Sequence, residues 1–162
     1  MHVPQERTTR HSHYNLNYHF VFTPKYRRHL FHGAVREKLM QVFRETCLMR
    51  DWIVLGMEVM PDHAHIFVSV PPKWAPSDVA KILKGVSARR ILKEFPGLRG
   101  GEGSGHLWTP SFYVGSAGNI SAGVIERYIQ EQRKHQVDDD AQSLQIPPLP
   151  HPAPGERPGA HP

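Results

Sequence analysis

The chain has 162 residues, 39% of them hydrophobic, with 20 Lys and Arg against 15 Asp and Glu, enough for one packed domain and short of two. No apolar run approaches the ~20 residues that a membrane-spanning helix needs, and the opening Met-His-Val-Pro-Gln-Glu-Arg has no apolar segment behind its charges, so no secretory signal is expected. The single cysteine, Cys47, excludes an internal disulfide and a cysteine-rich zinc site, and together these features predict a cytoplasmic protein with no membrane contact.

The net charge of +5 hides an asymmetry. In the last 25 residues Asp138, Asp139, Asp140 and Glu156 stand against Arg157 alone, so residues 1–137 hold 19 basic and 11 acidic side chains. A domain this basic suits a polyanionic partner, of which nucleic acid is the commonest. A basic surface that serves only solubility fits the charge equally well.

Residues 1–13 are polar and read as a flexible N-terminal arm. A strand is expected from Leu16 to Thr23, where Tyr18, Phe20 and Phe22 alternate with Asn17, His19 and Val21 before Pro24 ends it. From Gly33 to Arg50, Val35, Leu39, Val42, Phe43 and Cys47 recur at helical spacing. Two strands follow, Trp52–Met60 and Ala64–Val70, separated by the turn signal Pro61-Asp62. A second helix is predicted from Ser77, as N-cap, to Phe95 before Pro96-Gly97, and its polar positions are mostly basic. Residues 97–106 are loop-like, Leu107–Val114 is a fourth strand, and Gly115 to Gly118 form a flexible joint. A third helix runs from about Ser121 to His135. Residues 138–162 hold seven of the fifteen prolines and read as a disordered Pro-rich tail. The order strand, helix, strand, strand, helix, strand, helix predicts an α+β domain over residues 14–137: a two-layer, ferredoxin- or RRM-like antiparallel sheet with helices packed on one face.

Within that frame His63-Ala64-His65 is the first candidate for chemistry. Alternation along a strand points both imidazoles to one face, about 7 Å apart at the backbone and able to converge on one ion. Spacing alone is weak, because His11-Ser12-His13 repeats it, but only His63 and His65 open an apolar strand behind a turn. The pair fits either a metal site or two strand histidines. On the last helix Tyr128 and Gln132 are spaced i, i+4 and share a face. Tyr128 equally extends the apolar stripe of Val124, Ile125 and Ile129.

Five blocks in order carry a family resemblance: Tyr18-His-Phe-Val-Phe-Thr-Pro-Lys-Tyr-Arg27, Met60-Pro-Asp-His-Ala-His-Ile-Phe-Val68, Leu83-Lys-Gly-Val-Ser-Ala-Arg-Arg90, Leu107-Trp-Thr-Pro-Ser-Phe-Tyr113 and Ile125-Glu-Arg-Tyr-Ile-Gln-Glu-Gln132. Residues 14–136 resemble the single-tyrosine HUH transposases of small bacterial and archaeal insertion sequences, the IS200 group. The resemblance implies that Tyr128 is the catalytic nucleophile and that His63, His65 and Gln132 bind Mg²⁺ or Mn²⁺. It further implies cleavage and rejoining of single-stranded DNA through a 5′-phosphotyrosine, recognition of DNA hairpins at the element ends, and a homodimer whose active sites are shared between chains. Lys25, Arg27 and Arg28 after the first strand, and Lys81, Lys84, Arg89 and Arg90 on the second helix, are candidate phosphate contacts. Trp108 and Tyr113 fit base stacking or core packing. Ala64 is small for the hydrophobic position between the histidines, and the Pro-rich tail has no counterpart in the family core. The alternative reading is a non-catalytic or domesticated hairpin-binding protein on the same fold, in which Tyr128 and the metal are dispensable. A water-using metal hydrolase would cleave without a protein–DNA adduct.

Overall fold

The computed structural model describes residues 7–8, 13–99, 105–116, 127 and 129–131. Strands β1 (Arg7–Thr8) and β2 (His13–Tyr14) form a short antiparallel pair. Strands β3 (Asn17–Phe22), β4 (Ile53–Met60), β5 (His63–Ser69) and β6 (Tyr113–Ser116) form an antiparallel sheet in the order β4-β5-β3-β6. Helices α1 (Gly33–Leu48) and α2 (Pro76–Glu94) connect β3 to β4 and β5 to β6. This β-α-β-β-α-β chain order with two outer strands flanking β5 and β3 is the ferredoxin-like arrangement expected from the sequence.

Alternation decides which residues meet the helices. Phe20, Phe22, Ala64, Ile66 and Val68 are fully buried in one cluster with Leu39, Phe43, Cys47, Val79, Leu83 and Ile91 from the two helices. Their odd-numbered neighbours on β3 and β5 point to the opposite face. The register is fixed on both sides of β5: Val21 and Glu58 lie opposite His65, and Met60 lies opposite His63. Leu55 interrupts the β4–β5 ladder as a bulge between Val54 and Gly56.

Most elements differ from the sequence expectation by one or two residues at an end, as where β5 starts at His63 and not Ala64, and four differences have a physical reason or a structural consequence. Helix α2 begins at Pro76 with Ala75 at its N-cap, not at Ser77; proline suits the first helical position because it has no N–H to leave unpaired there. The fourth strand is Tyr113–Ser116 instead of Leu107–Val114. Trp108 instead forms an isolated bridge with Pro24, and Pro110, which cannot donate to a ladder, separates it from β6. Gly115 belongs to β6, opposite His19, where an added Cβ would lie 2.5 Å from the Tyr113 hydroxyl. Arg7 and Thr8, expected in an irregular arm, pair with β2, and the Arg7 guanidinium donates to the Ser69 carbonyl at 3.2 Å and the Asp51 carbonyl at 2.9 Å. Of the expected third helix, Arg127, Ile129, Gln130 and Glu131 are described and helical. Tyr128, Gln132, Gly118 and the tail at 138–162 lie outside the described residues.

Candidate active site

The site is built on the sheet face opposite the helices. Hairpin β4–β5 turns at Pro61-Asp62, which puts His63 at the first position of β5 and His65 two residues on. Both are buried, at 0% and 1% exposure. Their ring centroids are 4.9 Å apart with planes at 80°. An imidazole nitrogen about 2 Å from an ion places its ring centre about 3 Å away, so two rings sharing one ion stand about 4.5–5 Å apart. The pair therefore fits convergence on a single ion.

Each ring is oriented through Nδ1. His63 Nδ1 lies 2.7 Å from Asp62 Oδ1. Burial works to raise the Asp62 pKa, but the hydrogen bond from His63 and the positive fields of His63, His29 and Arg27 outweigh it and hold the carboxyl below its usual range. An ionised carboxylate only accepts, so Nδ1 of His63 carries a hydrogen and Nε2 is the ring nitrogen left over. Among the described residues that Nε2 is a buried nitrogen without a hydrogen-bond partner. A buried ring nitrogen left unpaired is costly in a structural role and suits a metal ligand, and a carboxylate behind a ligating histidine is the common means of fixing such a ring.

His65 Nδ1 lies 3.0 Å from Nε2 of His19 on the neighbouring strand β3. Burial, then the nearby positive fields of His19 and His63, lower the His65 pKa well below the ordinary value, and burial lowers that of His19 to about 3. Both rings are therefore neutral at physiological pH. With His65 as donor of the shared proton, its Nε2 carries a lone pair. His19 is itself clamped, stacked on Phe67 with centroids 4.2 Å apart and met edge-on by Tyr113 at 5.6 Å. Sequence reading missed His19 and Asp62 as members of the site. Its signal for His19 was present in the alternation of β3, which sets His19 on the face opposite Phe20; for Asp62 it was adjacency to His63.

Among the described residues no three His, Cys, Asp or Glu side chains form a metal-binding group. Two imidazoles are what this part of the chain offers, and the remaining candidates, Gln132 and Tyr128, fall outside it. The donor set suits a divalent ion that also takes oxygen ligands.

The candidate phosphate contacts divide into free and engaged groups. Lys81 and Arg89 are exposed on α2, and Arg27 is exposed beside the site, with Nη2 3.8 Å from Asp62 Oδ2. Lys25 and Arg28 are half-buried, and Arg28 donates to the Leu98 carbonyl at 2.9 Å. Arg90 pairs with Glu45. Lys84 donates to the carbonyls of Thr109 and Pro110 at 2.8 and 3.1 Å, so its ammonium tethers the approach to β6. Trp108 is core, with Nε1 donating to Ser87 Oγ at 2.9 Å. Tyr113, half-buried, packs on His19.

The site is thus two oriented strand histidines behind an acidic turn on a ferredoxin-like sheet. The family model for IS200-like transposases matches residues 12–132, and the chain belongs to that family. It is 36% identical over 119 residues to the ISDra2 transposase TnpA of Deinococcus radiodurans, covering 74% of this chain and 85% of that protein. It is 31% identical over 147 residues to the transposase of insertion sequence element IS200 from Salmonella typhimurium, covering 91% and 93%. A crystal structure of a Deinococcus radiodurans R1 transposase superposes with a TM-score of 0.65 at 32% identity over 78% of this chain and 97% of that one. A REP-associated tyrosine transposase bound to a REP hairpin shares the fold, with a TM-score of 0.52 at 13% identity over 81% and 74%. The protein is thus a transposase of the IS200-like kind, and among the described residues no helix is long and apolar enough to cross a membrane.

Proposed function

We propose that this transposase cleaves and rejoins single-stranded DNA at the ends of an insertion sequence, with Tyr128 as nucleophile. The observation that carries the reading is the pair of buried imidazoles, each oriented through Nδ1, with His63 Nε2 left for a ligand. Tyr128 loses its proton, its oxygen bonds to a backbone phosphorus, and the bond from phosphorus to the 3′ oxygen breaks. That oxygen takes up a proton and leaves as a 3′-hydroxyl, while the 5′ end stays on the tyrosine. One phosphodiester is exchanged for another, so attack by a 3′-hydroxyl rejoins the strand without a nucleotide cofactor.

A phenol with a pKa near ~10 is a poor nucleophile until its proton leaves. Bound by His63, His65 and Gln132, Mg²⁺ or Mn²⁺ supplies Lewis-acid polarisation of the phosphate and neutralises charge on its oxygens. Asp62 and His19 hold the two histidines in the tautomer and orientation that this needs. The reading includes hairpin-bearing ends as substrate, in keeping with the hairpin-bound neighbour of the same fold, and a homodimer in which Tyr128 serves the partner's histidines.

The test is incubation with Mg²⁺ and labelled single strands from both ends of the element that encodes the chain, resolved on a denaturing gel. A metal-dependent labelled band at protein mass, lost in Tyr128→Phe while strand binding persists, is the expected result. Cleavage without such a band, or an undiminished band in Tyr128→Phe, would overturn the assignment.

A further inference from the structure

The loop between β3 and α1 holds an aromatic side chain that the cleavage chemistry leaves unused. Tyr26 is 83% exposed and adopts φ 62°, ψ 17°; Arg27 follows at φ 52°. Two successive non-glycine residues in the left-handed region are sterically disfavoured, and an aromatic lacks the short polar group that lets Asn or Asp adopt it. Among the described residues the ring's recorded partner is the Lys25 ammonium, 5.6 Å from its centroid.

The surroundings hold this conformation in place. The Lys25 N–H donates to the Leu107 carbonyl at 2.9 Å, and those of Leu30 and Phe31 both donate to the Pro61 carbonyl at 3.0 and 3.1 Å. Pro61 precedes Asp62 and His63, and Arg27 reaches Asp62 on the oxygen that does not orient His63. The backbone that carries an exposed ring is therefore held one residue from a direct contact with the histidine site, with Lys25, Arg27 and Arg28 beside it. Strain kept by a rigid frame next to a reaction centre points to a ligand contact.

We propose that Tyr26 is a stacking platform for one unpaired base flanking the scissile phosphate, with the adjacent cations following the strand's backbone. The inference rests on the single-strand cleavage reading above. An aromatic face among cations suits an unpaired nucleobase, because every base offers a π-face and its phosphates meet the charge. A base within a duplex has its faces covered by its neighbours and could not be reached this way.

The experiment measures binding of the same labelled strands in metal-free buffer to the parent, Tyr26→Gly and Tyr26→Trp, with single abasic sites stepped along the strand on both sides of the cleaved bond. Tyr26→Gly is expected to bind roughly tenfold more weakly with a Tm no lower than the parent's, since glycine takes a positive φ without strain. Tyr26→Trp should retain binding. One abasic position should weaken the parent by the same factor and leave Tyr26→Gly unchanged. If Tyr26→Gly binds within twofold of a parent that also forms the Tyr128 adduct, the stacking role is wrong and the cleavage reading stands. An equal loss in Tyr26→Gly at every abasic position would mean a contact to the backbone and would likewise overturn it. A parent that binds neither end removes both proposals.

Discussion

The central sheet presents two buried faces made from the same strands. Toward the helices, Phe20, Phe22, Ala64, Ile66 and Val68 meet an apolar layer, and the polar groups at that layer's margin are matched, as where Trp108 donates to Ser87 and Thr46 Oγ1 donates to the Val42 carbonyl at 2.6 Å. On the opposite face His19, His63, His65 and Glu58 are 0–6% exposed, no more open than the core. Depth of burial does not separate them; the use of polar atoms does. An orphaned nitrogen alone is a weak mark, because among the described residues Trp52 Nε1 and Trp74 Nε1, in their edge-on pair, have no hydrogen-bond partner either. His63 differs in having a carboxylate that fixes which nitrogen is left over. One face uses its contacts for stability, the other keeps ring nitrogens in reserve.

The sharpest way to break this contrast is to swap which property each face loses. Phe22→Ala empties a fully buried site between Phe43 and Trp108 and is expected to cost about 3–5 kcal/mol of stability, measured by urea unfolding, while cleavage per folded molecule stays near the parent's. His63→Ala should do the reverse, with at least about a hundredfold loss of metal-dependent cleavage and a Tm within a few degrees of the parent. A variant that cuts normally in Mg²⁺ would remove His63 from the metal site. Lys84→Met should cost about 2 kcal/mol by losing charge-assisted bonds to two carbonyls, whereas exposed Lys81→Met should leave Tm unchanged and weaken DNA binding with a shallower salt dependence.

The effect that is smallest per step, and builds only as acid is added, is titrimetric. His19 and His65 are lowered by burial below the ordinary histidine range, so below pH ~6.5 the unfolded chain binds more protons than the folded one. In EDTA, stability should be greatest above that pH. It should then fall with acid at about 1.4 kcal/mol per pH unit for each ring, continuing for His19 to its folded value of about 3. His19→Phe should flatten the slope by one proton in denaturant titrations at stepped pH. An unchanged slope would mean that His19 is not buried neutral.

Much of this architecture can be read from local pattern. The alternation in β3 and β5 and the helical spacing of Leu39, Val42, Phe43 and Cys47 foretell both the layers and which side chains enter the core, because periodicity reports a face directly. The His63-x-His65 pair is legible for the same reason. What escapes is everything set by pairing between strands. His19 reaches His65 only because β3 lies beside β5 in one register, and no window of sequence states that register. The Lys84 tether escapes likewise, since an amphipathic helix pattern cannot distinguish a lysine in solvent from one folded onto a loop carbonyl. Trp108 and Pro110 show the limit of propensity, where an aromatic run looks like a strand until proline breaks its ladder.

Arg7 bears on that register. Its guanidinium bonds the Ser69 carbonyl and hydroxyl, the latter at 3.4 Å, and the Asp51 carbonyl. Ser69 is the residue where the β3–β5 and β4–β5 ladders both end, opposite Asn17 and Ile53. A slip of β5 by one residue would turn His63 and His65 into the apolar layer and send Ile66 and Val68 to the other side. The arginine grips the strand's last residue together with the chain just before β4, so it acts as a mechanical stop against that slip, placed at the end of the sheet remote from the chemistry it protects.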